Sequence, residues 1–314
     1  MLAACHSSST KENPLLTEST LDYHAPDFSK IRPEHFIPAI EEGIRIQLAE
    51  IDSITKNPQA PTFENTILAY EKSGRLLARA TAILSGLVGA DGTEELQKID
   101  EETTPMLSDH QDVLLLNEKL FARIKAVYDQ RSSLKGEDLR LTELLYDQFV
   151  HEGALLSPQD KEELKKINSE IAVLQTKFTN QVNAGTKAAA VLVDRVEDLD
   201  GLSEEAIARA AEAATQAGQK GKYLLEQANT TRPGYIAELN NRDLRRRVLE
   251  ASLNRCSGSD STGTHATITR IAELRATKAK LLGFSSFSAW ALSDQMAQRP
   301  EAVLRRPARS SLPG

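Results

Sequence analysis

The residues of this chain best suited to chemistry are its six histidines, which bind zinc when they recur at the right spacing. In helical zinc sites the pattern His-Glu-x-x-His places two imidazoles on one face, and the glutamate between them activates a metal-bound water. The nearest match here is His151-Glu152-Gly153-Ala154-Leu155. Leu155 stands where the second imidazole is needed, and Gly153 is a poor residue for a helix interior. We therefore predict that His151 is a solvated loop residue and not a metal ligand.

The other histidines stand alone, without a local partner that would complete a ligand set. They are His6, His24, His35, His110 and His265. We expect each to be a surface or hydrogen-bonded residue. The sequence also lacks the Gly-x-Ser-x-Gly elbow, the Walker loop and the dinucleotide fingerprint, so acyl transfer and nucleotide chemistry have no local motif. We predict no catalytic, cofactor-binding or metal-binding residue in this chain.

Clusters of like charge are more easily explained by solubility than by catalysis. The acidic pairs are Glu41-Glu42, Glu101-Glu102 and Glu162-Glu163. Adjacent acids of this kind are typical of solvated helix faces. Arg245-Arg246-Arg247 pairs with nearby acids or lines a cleft for peptide carboxylates on one interpretation, but a charged helix face is the better prediction.

The composition of the 314 residues favours a mostly α fold. Hydrophobic residues make up 40% and charged residues 26%, whereas aromatic residues make up 5%, and helix formers such as Ala, Leu, Glu, Lys and Arg are abundant. A net charge of −7 argues against a nucleic-acid partner, because phosphates would be repelled. No apolar run approaches the ~20 residues of a transmembrane helix. The two cysteines, Cys5 and Cys256, match no disulfide framework or zinc spacing.

The elements that would position any site are long helices in an irregular assembly. Apolar residues at steps of three and four predict a first helix after Pro33 (they are Ile37, Ile40, Ile44, Leu48 and Ile51). Thr62 is placed to cap the next helix. That helical period continues until Gly86, Gly89 and Gly92 interrupt it.

Farther along the chain, Ser157 followed by Pro158 predicts the start of a helix of about 25 residues that ends near Gly185. Residues 190–193 and 222–225 favour one small two-stranded element around a helix capped by Ser203. Further helices are predicted at 233–254 and 264–282. No repeat of fixed period is visible.

Four stretches form a recognisable series of blocks along the chain. They are Ala25-Pro26-Asp27-Phe28 with Ile31-Arg32-Pro33-Glu34-His35-Phe36-Ile37-Pro38-Ala39-Ile40-Glu41-Glu42-Gly43, Pro61-Thr62-Phe63-Glu64-Asn65-Thr66-Ile67, Leu239-Asn240-Asn241-Arg242-Asp243-Leu244-Arg245, and Glu273-Leu274-Arg275-Ala276 with Lys278-Ala279-Lys280-Leu281-Leu282-Gly283-Phe284. In this order they resemble blocks of the thimet oligopeptidase family of zinc metallopeptidases. A further stretch, Asp294-Gln295-Met296-Ala297-Gln298-Arg299-Pro300-Glu301-Ala302-Val303, is most like the bacterial peptidyl-dipeptidases. The resemblance covers about residues 21–303.

The resemblance implies a zinc enzyme that removes dipeptides from the carboxyl end of short peptides, within a channel between two mostly helical halves. It also implies a monomer in the intact family. The family's His-Glu-x-x-His helix and its other ligands lie beyond the last matching residue, Val303, so none can be assigned here. Zn²⁺ is therefore expected in the intact family but not on this chain.

The chain departs from the family at residues 304–314, which are basic and broken by proline. We interpret this tail as the product of a frameshift or an interrupted gene, which predicts an amino-terminal part that is inactive alone. One alternative is a non-enzymatic helical module that binds peptides or proteins. Another is that the missing half is encoded just downstream.

The amino end is rich in Ser and Thr, and residues 1–20 are predicted to be a flexible leader. Leu2-Ala3-Ala4-Cys5 looks like the cleavage box of a bacterial lipoprotein, although the segments that precede such a box are missing. As given, the sequence predicts a cytoplasmic protein. The alternative is a periplasmic or envelope lipoprotein, if the true start lies upstream and Cys5 is acylated.

Overall fold

The structure is a computed structural model that describes residues 13–258 and 260–304. It confirms the mostly α fold, since helices account for most of these residues and the strands form one two-stranded antiparallel sheet. Among the described helices, none combines the length and apolar character needed to cross a bilayer. Cys5, His6 and residues 305–314 lie outside the described residues.

Most of the elements are helices, and the two strands of the small sheet flank one of these helices in the chain. In chain order, the elements are α1 (Phe36–Thr55), α2 (Ala69–Glu71), α3 (Arg75–Asp91), α4 (Glu94–Leu115), α5 (Glu118–Asp129), α6 (Gly136–His151), α7 (Pro158–Ala188), β1 (Val191–Val193), α8 (Glu204–Gln216), β2 (Tyr223–Leu225), α9 (Arg232–Glu238), α10 (Arg242–Asn254), α11 (His265–Leu281), α12 (Phe287–Leu292) and α13 (Pro300–Leu304). A π-helical segment, Phe63–Leu68, runs directly into α2, and short 3-10 turns lie at Asp22–His24, Pro33–His35, Arg131–Ser133 and Val196–Leu199.

The described chain divides into two compact units. The first unit contains the residues up to Val173 together with those from Glu273 onward, and the second is Leu174–Ala272. The boundaries fall inside α7 and α11.

The first unit has two buried apolar clusters. One joins α1, α3 and α4 around Phe36 and Ile40, both fully buried. The other joins α1, α5 and α6 around Phe149, whose ring stacks on that of Phe121 at 6.2 Å between centroids. Burial of aromatic rings contributes heavily to a core because each removes a large apolar area from water. Leu48, one of the apolar residues whose spacing predicts α1, is 37% exposed.

Packing in the first unit includes residues that precede Leu21. Leu15 is 1% exposed and belongs to the cluster around Phe36. The amide of Asn13 donates to the carbonyl of His35 at 2.8 Å. This part of the predicted leader therefore contacts the core.

The second unit is built around the sheet. β1 and β2 pair antiparallel, with Val191 opposite Leu225 and Val193 opposite Tyr223, which confirms the predicted two-stranded element. Behind the sheet, side chains of α8, α9 and α10 complete a core that includes Leu225 and Val248, both 0% exposed.

Helix starts are well predicted because their caps are local. The Oγ1 atom of Thr62 accepts from the amide of Asn65 at 3.2 Å, and the Oγ atoms of Ser157 and Ser203 accept from amides three residues on, also at 3.2 Å. Each bond satisfies an amide that the first helical turn leaves free.

Helix interiors and ends are predicted less well. α3 continues through Gly86 and Gly89 to Asp91, so the prediction that these two glycines interrupt the helix is wrong, whereas the predicted break at Gly92 is confirmed. The single helix predicted at 233–254 is two helices, because the side chain of Asn241 caps α10 by accepting from the amide of Leu244 at 3.1 Å.

Candidate functional site

The end of α6 places the His151 side chain. Gly153 adopts φ +100°, a backbone conformation that favours glycine. The amide of Ala154 donates to the carbonyl of Phe149 at 2.9 Å, and that of Gly153 to the carbonyl of Val150 at 3.1 Å. This bonding pattern terminates a helix in the Schellman motif. Gly153 therefore ends α6 just after His151.

The turn after α11 is built in the same way. Gly283 has φ +83°, and the amide of Phe284 donates to the carbonyl of Ala279 at 2.8 Å. The chain then starts α12, where the Oγ atom of Ser286 accepts from the amide of Ala289 at 3.1 Å. The turns that follow α6 and α11 therefore place the end of α6 in contact with α12.

His151 and Trp290 form the contact between these helices. Their rings stack with centroids 4.6 Å apart. The indole Nε1 of Trp290 donates to the carbonyl of His151 at 3.2 Å, and the Nε2 atom of His151 lies 3.0 Å from the carbonyl of Trp290. The side chain of His151 is 16% exposed. The prediction that it is a solvated loop residue is therefore wrong, because residues 139 positions away in sequence cover it.

Lys278 and Glu152 supply the charges beside this pair. The Nζ atom of Lys278 lies 3.3 Å from Oε2 of Glu152 and 4.5 Å from the centroid of the Trp290 ring. The Nδ1 atom of His151 lies 3.5 Å from Oε1 of Glu152. A cation over an indole face, paired with a carboxylate and mostly removed from solvent, fixes the positions of all three side chains.

Asp112 on α4 carries a buried carboxyl group whose ionisation is affected by the charges of Lys278 and Glu152. The Nδ2 atom of Asn168 on α7 donates to its Oδ1 at 2.7 Å, whereas Oδ2 has no hydrogen-bond partner among the described residues. Burial raises the pKa of the Asp112 carboxyl to about 6, although the amide of Asn168 and the charge of Lys278 oppose that shift. The carboxyl is therefore close to half ionised near pH 6.

A cleft of about 760 Å³ opens beside the His151–Trp290 pair. One wall is the carboxyl-terminal half of α6, and the other is Phe284, α12 and the turn that follows. The cleft is large enough for an amino-acid side chain, and its lining mixes charged, aromatic and aliphatic groups.

Zinc does not fit the side chains of this site. Within 13–258 and 260–304, no three His, Cys, Asp or Glu side chains are grouped as a metal ion requires. The imidazole of His151 is engaged by Trp290 and Glu152. The arrangement provides a charged cleft held by several side-chain contacts, which is suited to binding.

The other sequence candidates have structural contacts. His110 is 6% exposed, its Nε2 atom lies 2.7 Å from Oε1 of Gln47, and burial lowers the pKa of its imidazole. His24 and His35 make local hydrogen bonds. In the arginine run, Arg246 pairs with Asp243 at 3.2 Å, while Arg245 and Arg247 donate to main-chain carbonyls. These contacts stabilise α10 and its surroundings.

Sequence reasoning missed Trp290, Lys278 and Asp112. The only local indication was that Trp290 is the single tryptophan of the chain. These side chains belong to α4, α11 and α12, and no spacing in the sequence indicates that they belong to one region.

Comparison with known proteins identifies relatives along most of the chain. The model of peptidase family M3 matches residues 235–307. The dipeptidyl carboxypeptidase of Escherichia coli (strain K12) is 41% identical over 297 residues, 94% of this chain. That of Salmonella typhimurium is 40% identical over 93% of the chain, and oligopeptidase A of Haemophilus influenzae is 29% identical over 93%.

The chain spans less than half the length of these relatives, 44% of the Escherichia coli protein and 43% of the other two. Within that span, the relatives confirm the resemblance to the oligopeptidase family of metallopeptidases that the ordered sequence blocks indicate.

Proposed function

We propose that this chain is part of a metallopeptidase of the peptidyl-dipeptidase type, a hydrolase that releases dipeptides from the carboxyl end of short peptides. The observation that carries the proposal is the 41% identity to a dipeptidyl carboxypeptidase over 94% of the chain. The mostly helical fold of both units is in keeping with it.

The catalytic metal of such an enzyme would be held outside the residues described here. Support for this comes from two observations: the described side chains form no group that fits zinc, and the chain spans 44% of its Escherichia coli relative. Zinc, when bound in the whole protein, would supply the activation of water. The role we propose for the described helices is to form one side of the peptide-binding region, and the chain alone is expected to be inactive.

A chimera tests this proposal. The segment of the Escherichia coli dipeptidyl carboxypeptidase that aligns with this chain would be replaced by the aligned part of this chain, which is 94% of it. If this chain has the same function as the segment that it replaces, the chimera should release dipeptides from a tetrapeptide with a blocked amino end. The isolated chain with added zinc should not.

The control is a second chimera that carries Val248→Ala, because loss of two methyl groups from a fully buried side chain lowers stability without touching substrate. It should keep its activity at low temperature and lose it at a lower temperature than the first chimera. A well-folded first chimera without any activity would contradict the proposal, as would robust dipeptide release by the isolated chain.

A second candidate function is that of a helical module that binds peptides without cleaving them. The observation in its favour is the charged cleft beside Trp290, in a part of the chain that lacks a metal cluster. A monodisperse chain that unfolds cooperatively and binds peptides alone, combined with an inactive chimera, would favour it.

We further propose a cytoplasmic location and a monomeric whole protein. The envelope remains the alternative for a protein acylated at Cys5. Mass spectrometry of the protein from its own cells distinguishes the two, since acylation adds a lipid mass to the peptide that contains Cys5.

A further inference from the structure

The cleft between α6 and α12 is a preformed feature of the first unit. Its floor is held by the reciprocal bonds between His151 and Trp290, and by the ion pair of Lys278 with Glu152. Because each of these side chains is fixed by at least two contacts, the walls cannot separate without breaking several interactions. A ligand would therefore meet a site that needs little reorganisation.

The lining of the cleft carries more negative than positive charge. Asp147 on α6 and Asp294 after α12 both line it, and neither forms an ion pair within the described part of the chain. The Oδ1 atom of Asp294 accepts from the side-chain amide of Gln295 at 2.7 Å. The one cation of the lining, Arg140, lies 3.8 Å from Oε2 of Glu143. Glu152, the third lining acid, is already neutralised by Lys278.

Apolar groups line the same cleft as these acids. Leu144 lines the α6 wall and is 48% exposed, and Phe284 and Ala291 line the opposite wall. An occupant with a cationic end and an aliphatic stem would cover the apolar groups and place its charge near the carboxylates of Asp147 and Asp294, which have no cationic partner in the described part of the chain. Lysine and arginine side chains have this form.

We propose that this cleft binds a lysine or arginine side chain of a peptide, with the alkyl stem against Leu144 and Phe284 and the cationic group beside Asp147 and Asp294. The inference rests on the proposed function only in taking a peptide as the ligand. It assigns to these residues a preference for basic side chains.

The test uses the full chain and the emission of Trp290, which is the only indole present. Acetyl-Ala-Lys-Ala-amide is titrated at low ionic strength, since screening weakens exposed ion pairs. Its norleucine and glutamate counterparts are titrated in parallel. We expect a saturable change in emission with the lysine peptide, and binding weaker by about threefold to fivefold for the norleucine peptide, at the upper end of what exposed ion pairs contribute.

Variants locate the binding. In Asp147→Asn with Asp294→Asn, affinity for the lysine peptide should fall to that for the norleucine peptide. Glu137→Gln with Glu301→Gln removes the same charge from exposed positions that do not line the cleft and should leave the affinity within about twofold. All four side chains are exposed, and circular dichroism verifies that the variants fold.

Equal binding of the lysine and norleucine peptides would overturn the proposal, and so would undiminished binding by the Asp147→Asn, Asp294→Asn variant. Absence of any binding would also overturn it. Since no hydrolysis is measured, these outcomes leave the chimera test of the peptidase function untouched, and an inactive chimera would leave the binding result untouched.

Discussion

The carboxyl group of Asp112 illustrates how a single buried residue connects stability to pH. The side chain is 5% exposed, and one of its oxygens accepts from Asn168 while the other has no partner among the described residues. Of the charges that face it, Lys278 favours ionisation, whereas Asp109 and Glu152 oppose it. Burial outweighs the favourable contacts and raises the pKa of the carboxyl to about 6.

We predict that Asp112→Asn makes the chain relatively more stable as the pH rises. An unfolded aspartate titrates near about 3.9, so a folded pKa of about 6 means that the folded state holds its proton more tightly. The native carboxyl therefore contributes most below pH ~4 and progressively destabilises the fold up to pH ~6 and a little above. Between pH 5 and 7.5, the free energy of unfolding of the variant should rise by about 1 kcal/mol relative to the native chain.

Urea unfolding at several pH values measures this difference. Asp147→Asn is the matched control, because Asp147 is exposed and forms no ion pair in the described residues. Its difference from the native chain should stay constant over the same range. A constant difference for Asp112→Asn as well would show that the buried carboxyl does not titrate in this window.

At the scale of elements, the contact of α1 with α3 depends on a glycine. A Cβ atom added at Gly43 would lie 2.8 Å from Cα of Leu77 and 2.9 Å from its amide nitrogen. Both atoms belong to the backbone of α3, so neither can move aside as a flexible side chain would. The two helices therefore approach as closely as they do only because position 43 has no side chain.

We predict that Gly43→Ala destabilises the chain by about 1–2 kcal/mol. Overpacking typically costs about 1–3 kcal/mol, and the better helix propensity of alanine offsets up to about 1 kcal/mol of that. Thermal unfolding followed by circular dichroism measures the change.

Gly86→Ala is the control within the same pair of helices. Gly86 lies inside α3, and an added Cβ atom would meet nothing within 4 Å. This variant should gain up to about 1 kcal/mol, because alanine favours the helix and nothing opposes it. Stabilisation by both substitutions would mean that α1 and α3 are not in close contact at Gly43.

Helix caps and glycines show which features of the helices can be predicted from the sequence and which cannot. The caps at Thr62, Ser157 and Ser203 depend on residues within one turn, and each predicted helix start is confirmed. Gly86 lies in α3 in spite of its low propensity, because the buried face of that helix provides stability that outweighs it. Local patterns decide where helices begin, and tertiary packing decides where they continue.

At the scale of the whole molecule, the candidate site could not be predicted from the sequence. Asp112, His151, Lys278 and Trp290 come from four helices, and the bonds between His151 and Trp290 join residues 139 positions apart. What the sequence predicted correctly was the resemblance to the oligopeptidase family, because ordered blocks preserve residue identity along the chain. Sequence identity reveals homology, whereas a cleft depends on distances between residues that are known only from the folded structure.

The thermal stability of the isolated chain should not depend on zinc. Because the described residues offer no group of three metal-binding side chains, we predict that zinc in excess and a chelator both leave the melting temperature of the isolated chain unchanged within about 1 °C. A ligand that binds the native state at 100 times its Kd would stabilise it by about 2.7 kcal/mol, which shifts the melting temperature by several degrees. The chimera with the Escherichia coli segments provides the contrast: its melting temperature should fall on chelation and recover with zinc. A zinc-dependent rise in the isolated chain would place a metal site among its own residues and contradict the division of roles proposed here.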